Sequence, residues 1–477
     1  MTLADLVPSL RPTLAARLEP GLWPLTAAAT CDGRLTVGGA DLVELAGRFA
    51  TPLVVLDTAD VRARCRAYRD ALPEAEIAYA AKAFLCRAMA RTVAQEGCSI
   101  DACSGGEITT TAAAGVPGER ILLHGNVKTD EDLKAALDAR VGRIVIDSLD
   151  EIDRLAALVP HRQQVLLRVT PDVDAGTHPG RTTGTHTSKF GLPIATGDAA
   201  AAIRRVLGRP ELELVGLHCH IGSQVTSIAR YESAAVRVIA LLAAVSREHG
   251  LALPQLNLGG GHAVGYTDGA PSMDPAAFGR AIRGTLARSA RAHGIPVPAL
   301  TIEPGRAIVA RAGVTVYRVG AVKRTAGRTF VAVDGGMSDN PRPALYGARY
   351  PLRLLGRATK APTEQVSVVG RHCESTDTIA DDVALPCDIV AGDMLALPCS
   401  GAYHASMAST YNQVGRAAVV AVGGGAAMTI LRRDTPEDLL RRDVVCGQQV
   451  APGPVGAEAH HDAPASVVPR PSNVKRR

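Results

Sequence analysis

Between residues 77 and 306 the chain repeats one pattern: a short β-rich apolar run, then a stretch of helical period rich in Ala, Leu and Arg. The strand candidates are Ile77–Ala81, Cys98–Cys103, Ile121–His124, Arg143–Asp147, Val165–Thr170, Leu214–His220, Gln255–Leu258 and Leu300–Glu303. Intervening segments such as Arg87–Glu96, Asp130–Ala139 and Ile228–His249 read as helices. Eight β/α units in about 230 residues match a TIM (β/α)8 barrel in length and count. A doubly wound open sheet shares the alternation, and strand count alone leaves it open.

From about Val314 the texture changes. Short alternating apolar runs (Val314–Val322, Thr329–Val333, Val366–Val369, Met394–Leu397, Ala417–Val422, Ala427–Leu431) are separated by Gly, Pro and Asp, which predicts an antiparallel β domain. The expected division is an N-terminal segment, 1–45, that joins the β domain through Leu35-Thr36-Val37. A barrel over 46–313 and a β domain over 314–446 follow, then a disordered tail, 447–477, rich in Pro, Gly, Ala and His. A chain of 477 residues suits two such domains, one of them large.

Composition narrows the function classes. Aromatic residues make up only 3%, so the core is built from Val, Leu, Ile and Ala. The net charge of +5 is small for this length, and no basic stripe with interleaved aromatics occurs, which argues against nucleic acid as a partner. The ten cysteines are scattered without a CxxC pair, so neither a disulfide framework nor a zinc or other metal site is expected. No secretory apolar segment opens the chain, and no apolar run reaches the about 18 residues of a membrane span. A reducing cytoplasm is the expected location.

In a TIM barrel the chemistry sits where strands end and βα loops begin. Reactive residue types fall at those ends here: Lys82 after the first strand, Asp101 on the second, His124 and Asn126 after the third. Arg168 lies on the fifth, His220 ends the sixth, Gly259-Gly260-Gly261 follow the seventh and Glu303 ends the eighth. Random placement would put many of them on helix faces. Each has a plain structural reading as well. Lys82, leaving a buried strand through small neighbours, could have its amine pKa lowered by desolvation for Schiff-base chemistry, or could snorkel to the surface. The glycine run could bring backbone N–H groups to an anion, or could be a flexible turn. Glu303 could hold a proton on a buried ring nitrogen, or could pair with Arg306; His220 could stack on a flat cofactor or be a core histidine.

Ten motifs in order resolve these alternatives: Tyr79-Ala-Ala-Lys82-Ala-Phe-Leu-Cys86, Ser104-Gly-Gly-Glu107, Ser188-Lys-Phe-Gly191, His218-Cys-His-Ile-Gly-Ser-Gln224, Gly259-Gly-Gly261, Glu303-Pro-Gly-Arg306, Asp334-Gly-Gly-Met337, Arg342-Pro-Ala-Leu-Tyr-Gly347, Cys373-Glu-Ser375 and Gly401-Ala-Tyr403. Together they resemble the barrel-type, alanine-racemase-like decarboxylases that use pyridoxal 5′-phosphate (PLP), in particular diaminopimelate decarboxylases of the actinobacterial kind. The resemblance runs from about Gly21 to Asp443.

The resemblance implies that Lys82 carries the internal aldimine with PLP and that His220 lies against the pyridine ring. It implies that Ser223, Gly260, Gly261 and Tyr403 hold the phosphate, with Asp101 and Arg168 also at the cofactor. Glu303 would keep the ring nitrogen protonated, making the ring an electron sink; racemases of this fold place an arginine there. Arg306, Arg342 and Tyr346 match positions that bind a distal carboxylate, for which guanidinium groups suit by bidentate geometry. Glu374 matches the acceptor of a distal ammonium, with Ser375 and Tyr403 also at the substrate. Cys373 matches the thiol that governs the proton returned to Cα, and in the family Cys373 and Glu374 come from a neighbouring subunit. The implied protein is a homodimer with shared sites that converts meso-2,6-diaminopimelate to L-lysine and CO2. Thr376 ahead of Asp377, and Thr410 within Ser409-Thr410-Tyr411-Asn412, depart from the family pattern. They leave room for a paralogue acting on another diamino acid or a carrier-tethered amino acid. A non-catalytic PLP-binding homologue would be expected to lose Lys82 or Cys373.

Overall fold

A computed structural model describes residues 17–444 except 20, 175, 177–183 and 185–187. The expected tail, 447–477, and the first 16 residues of the N-terminal segment lie outside the described residues. A small antiparallel sheet comes first: β1 (Ala28–Ala29), β2 (Leu35–Val37) and β3 (Ala40–Asp41). It is a sheet of its own, tied to the C-terminal part by Gly425 N–H to Gly38 O (2.7 Å) and Gly356 N–H to Gly33 O (3.0 Å). The next strand, β4 (Leu53–Asp57), is buried throughout.

The barrel strands are β5 (Glu76–Ala80), β6 (Ser99–Ala102), β7 (Ile121–Leu123), β8 (Arg143–Ile146) and β9 (Gln163–Thr170). After a two-residue strand β10 (Leu192–Pro193) follow β11 (Leu212–His218), β12 (Gln255–Asn257) and β13 (Ala299–Ile302). Every neighbouring pair is parallel. Two pairings decide between barrel and open sheet: Val145 of β8 beside Leu166 of β9, and Ile302 of β13 beside Ile77 of β5. The sheet closes on itself, so the fold is the barrel. Its strands are apolar on both faces because helices cover the outside while Val145, Leu166 and Val215 pack together.

The helices begin on caps that the sequence supplies just past the strands. Ser104 caps Gly105–Ala112, Thr129 forms a capping box with Asp132 before Asp130–Asp138, and Ser148 caps Leu149–Leu158. Each cap fixes where a βα loop ends, so the residues between strand end and cap are held at the barrel mouth.

The second sheet contains β14 (Gly313–Thr325), β15 (Arg328–Val333), β16 (Arg353–Leu355), β17 (Thr363–Val369), β18 (Thr378–Pro386), β19 (Met394–Pro398), β20 (Ala418–Gly423) and β21 (Ala426–Leu431). Its order is β18-β17-β15-β14-β4-β20-β21, with β19 branching from β14 and β16 pairing with β19. Two pairings are parallel, β15 with β17 and β20 with β4; the others are antiparallel. Strand β4 corrects the boundary expected at residue 46: Leu53–Asp57 pairs with Gly313–Val316 and with Ala418–Val422, inside the β domain. Its apolar run Leu53–Leu56, buried throughout, matches a barrel strand, and only its partners distinguish the two. A second core, built round Tyr317, Val331, Val368, Ile379 and Leu395, fills the far side of this sheet.

Within residues 435–444, Thr435 and Asp438 make a capping box at the start of Pro436–Leu440.

Candidate active site

The strand ends surround a cavity of about 530 Å³ lined by Lys82, His124, Arg168, His218, His220 and Ser223 together with Glu303, Arg306, Arg342, Tyr346 and Tyr403. A recess of about 70 Å³ shares Lys82, His220, Ser223, Glu303, Arg306 and Tyr403 and adds Gly260 and Gly261. Nearly all the expected site residues thus meet in one place.

Lys82 stands two residues past β5, in a short turn over Ala81–Ala83, with 47% of its side chain open to the cavity. Asp101, 1% exposed, lies behind it rather than on the wall, with Oδ2 3.8 Å from the ammonium. The expected lowering of the lysine pKa is reversed: burial pulls it down, but Asp101, Cys103, Tyr403 and Glu303 together raise it above the ordinary value. The charged wall was not visible from the small neighbours of Lys82 alone. Burial also pushes the Cys103 thiol up to about 12.

Glu303 follows β13 and is buried. Its Oε1 accepts from Asn257 Nδ2 (2.6 Å) and lies 2.9 Å from His124 Nε2, while Oε2 is 3.3 Å from His218 Nε2. Burial opposes its charge, yet the two histidines hold the carboxyl well below its usual range. Burial pushes His218 down to about 4, so that ring is neutral at pH 7. Glu303 does not pair with Arg306, whose donors go to Tyr266 Oη (2.9 Å) and Ser223 Oγ (3.1 Å). His124, His218 and Glu303 present ligand atoms within 4.8 Å of one another, a donor set able to take a cation or a protonated ring nitrogen.

The glycine run forms a cradle. Gly260 N–H donates to His220 Nδ1 at 3.2 Å, which fixes the imidazole against the loop; burial, Lys82 and Arg168 hold its pKa well below the usual value. A Cβ at Gly260 would lie 2.0 Å from Glu303 O, and one at Gly261 1.9 Å from Gly222 O, so side chains are excluded there. Tyr403 adopts a φ of +61°, held by its N–H to Ala83 O (2.8 Å). A bulky residue in that left-handed region marks a constrained position, and this one lines both the cavity and the recess. Backbone around a small recess, with Ser223 and Tyr403, suits a phosphate, and the buried His218 Nδ1, without a hydrogen-bond partner among the described residues, leaves polar capacity for a ligand. The residues present fit PLP.

Arg168 stacks 4.3 Å from the Phe190 ring and pairs with Asp147 Oδ2 (3.3 Å), whose Oδ1 takes the Gly191 N–H (2.7 Å). That is the structural content of the Ser188-Lys-Phe-Gly191 motif. At the opposite end, Arg306 lies over Tyr403 (4.6 Å) and Arg342 over Tyr266 (4.6 Å), with Arg342 also donating to Tyr350 Oη. Sequence reasoning missed Tyr266 and Asn257. Asn257, at the end of β12, carried the same strand-end signal as its neighbours; Tyr266, in a loop, carried none.

Cys373, Glu374 and Ser375 do not join this set. All three are exposed, and none lines the cavity of their own chain.

Comparison with known proteins gives one answer. Residues 58–310 match the family model "Pyridoxal-dependent decarboxylase, pyridoxal binding domain". The chain is 55% identical to diaminopimelate decarboxylase of Actinosynnema pretiosum subsp. auranticum, over 93% of this chain and 100% of that one. It is 45% identical to diaminopimelate decarboxylase of Mycobacterium tuberculosis strain H37Rv, over 90% of this chain and 98% of that one. Among solved structures, diaminopimelate decarboxylase from M. jannaschii in co-complex with L-lysine superposes with a TM-score of 0.80 at 32% identity, covering 87% of this chain and 96% of that chain. The chain belongs to the diaminopimelate decarboxylases, within the pyridoxal-dependent decarboxylase family.

Proposed function

We propose that the protein removes the α-carboxylate at the D-centre of meso-2,6-diaminopimelate, yielding L-lysine and CO2 as the last step of lysine biosynthesis, with the side chains around the cavity dividing the work. PLP, when bound, supplies an electron sink for the charge left on Cα as CO2 departs. Lys82, His220 and Arg168 would hold the cofactor, with Asp101 behind Lys82 as its charge partner. Glu303, ionised among His124, His218 and Asn257, keeps the ring nitrogen protonated. Ser223, Tyr403 and the glycine cradle at Gly260 and Gly261 would hold the phosphate.

The observation that carries the substrate reading is the meeting of Arg306 and Arg342 with Lys82 and Glu303 on one cavity. Two guanidinium groups on that cavity suit a distal carboxylate, with Tyr346 also on its wall. An amino acid without that carboxylate would leave both guanidinium groups without an anionic partner among the described residues, their hydrogen bonds going to Tyr266, Ser223 and Tyr350. The structural relative solved with L-lysine supports the product, and retention of Lys82 and Cys373 counts against a non-catalytic homologue.

Cys373 and Glu374 complete the site from a partner subunit, the thiol governing the proton returned to Cα and the carboxylate accepting the distal ammonium, with Ser375 beside them. Their exposure, away from their own cavity, supports a homodimer with shared sites. The nine described cysteines are all free thiols, and no described helix is long and apolar enough to cross a membrane; both fit a cytoplasmic enzyme.

The test is CO2 release from meso-diaminopimelate by the PLP-loaded protein and its Lys82→Ala variant. Turnover abolished by the substitution supports the reading; no turnover by the intact protein, with PLP bound, refutes it.

A further inference from the structure

One strong motif, Asp334-Gly-Gly-Met337, supplies nothing to the cavity, and the segment that carries Cys373 and Glu374 touches it in three dimensions. That segment is the loop 370–377 between β17 and β18. Cys373, Glu374 and Ser375 are exposed, and the bond that Ser375 Oγ donates to Glu374 Oε1 (3.4 Å) stays within the loop. Their placement therefore depends on what holds the loop at its two ends.

Asp377 holds it. Its carboxylate, in a residue 3% exposed, accepts Met337 N–H on Oδ1 (2.6 Å) and His372 N–H on Oδ2 (2.7 Å). Its own backbone closes the loop, with Gly370 N–H donating to Asp377 O (2.8 Å) and Asp377 N–H to Glu374 O (3.1 Å). A carboxylate bridging two backbone amides in a buried place is a strong, directional tie. Two glycines make room for it. A Cβ at Gly370 would lie 2.2 Å from Asp377 Oδ2, and one at Gly336 2.7 Å from either oxygen. The second glycine of the Asp334-Gly-Gly-Met337 motif is thus explained by the carboxylate beside it.

A second anchor adjoins the thiol. His372 is buried, with Nε2 2.8 Å from Ser338 Oγ and Nδ1 3.0 Å from Asn412 Oδ1. Cys373 and Glu374 therefore emerge directly from a residue pinned on three sides.

We infer that Asp377 is the positioning residue that aims Cys373 and Glu374 of its own subunit into the active site of the partner. The inference rests on the reading that those two residues act across the dimer. A displacement of about 1 Å at a reacting group costs on the order of a hundredfold in rate. Asp377→Asn keeps one acceptor and turns the other into a donor facing an N–H. It is expected to lower kcat by about a hundredfold with PLP absorbance unchanged.

The decisive test is subunit mixing. Asp377→Asn and Lys82→Ala chains are co-expressed with different tags, and the PLP-loaded heterodimer is isolated by tandem purification. One of its two sites joins an intact Lys82 to an intact loop, so activity should return to about half that of the native dimer. A damaged fold would not be rescued in this way. A Cys373→Ala/Lys82→Ala heterodimer serves as the reference. Rescue of both pairs supports the inference. Rescue of the reference alone, or native kcat in the Asp377→Asn homodimer, overturns it while leaving the shared site standing. Failure of both pairs removes the shared site, and the inference with it.

Discussion

At the scale of single residues the site is a set of charges kept in their working states by neighbours. Glu303 is the clearest case: burial alone would neutralise it, and His124 and His218 hold it ionised. Glu303→Gln keeps the shape and removes the charge, so kcat should fall by roughly a hundredfold or more while PLP remains bound; steady-state kinetics on the loaded variant checks this. Arg342 is buried between Tyr266 and Tyr350 and lines the cavity. Arg342→Lys loses the planar fork, and KM for diaminopimelate should rise about tenfold or more with little change in PLP affinity. Equal KM values would remove Arg342 from substrate binding.

At the scale of elements, the βα loops are held by bonds beneath the cavity. Lys128, 1% exposed, donates to Gly125 O (2.8 Å), Val145 O (2.6 Å) and Glu151 Oε1 (2.6 Å), while Glu151 Oε2 takes the Asp147 N–H (3.0 Å). This ties the loop after β7 to the end of β8, from which Asp147 orients Arg168. Lys128→Met strands the buried Glu151 charge and should cost about 3–5 kcal/mol, read by urea unfolding; adding Glu151→Leu should recover much of the loss. The eight barrel strands were legible because apolar runs and helical periods alternate, and the strand-end rule then found Lys82, Arg168, His220, the glycines and Glu303. Strand β4 was not legible, since Leu53–Asp57 has the same pattern in either domain and only its long-range partners decide. Strand β18 was hidden too: Asp381 and Asp382 interrupt its apolar run at exposed positions. The Lys82 pKa was misread because Asp101 and Glu303 reach it from other strands.

For the whole molecule, several buried histidines are neutral by virtue of burial, and this links stability to pH. His262, stacked among Tyr68, Tyr231 and Phe278, is pushed down to about 3, and His218 to about 4, from an ordinary 6.5. Their folded pKa values are depressed, so between pH 6.5 and those values the unfolded chain binds protons that the folded chain refuses. The stability they contribute is complete above about pH 6.5 and is lost as pH falls toward 4 and then 3. Unfolding free energy should drop steadily across that window, at about 1.4 kcal/mol per pKa unit, and His262→Gln should flatten the slope; an unchanged slope would exclude His262 as a source. The central claim concerns what two cavity arginines select. The most direct measurement is kcat/KM of the PLP-loaded protein for meso-diaminopimelate against L-lysine, D-lysine and ornithine, which lack the distal carboxylate. A preference of at least about a hundredfold for diaminopimelate is predicted, as expected when the wrong substrate leaves buried guanidinium groups without an anionic partner. Comparable turnover of ornithine or lysine would contradict the account while leaving the fold and the cofactor site in place.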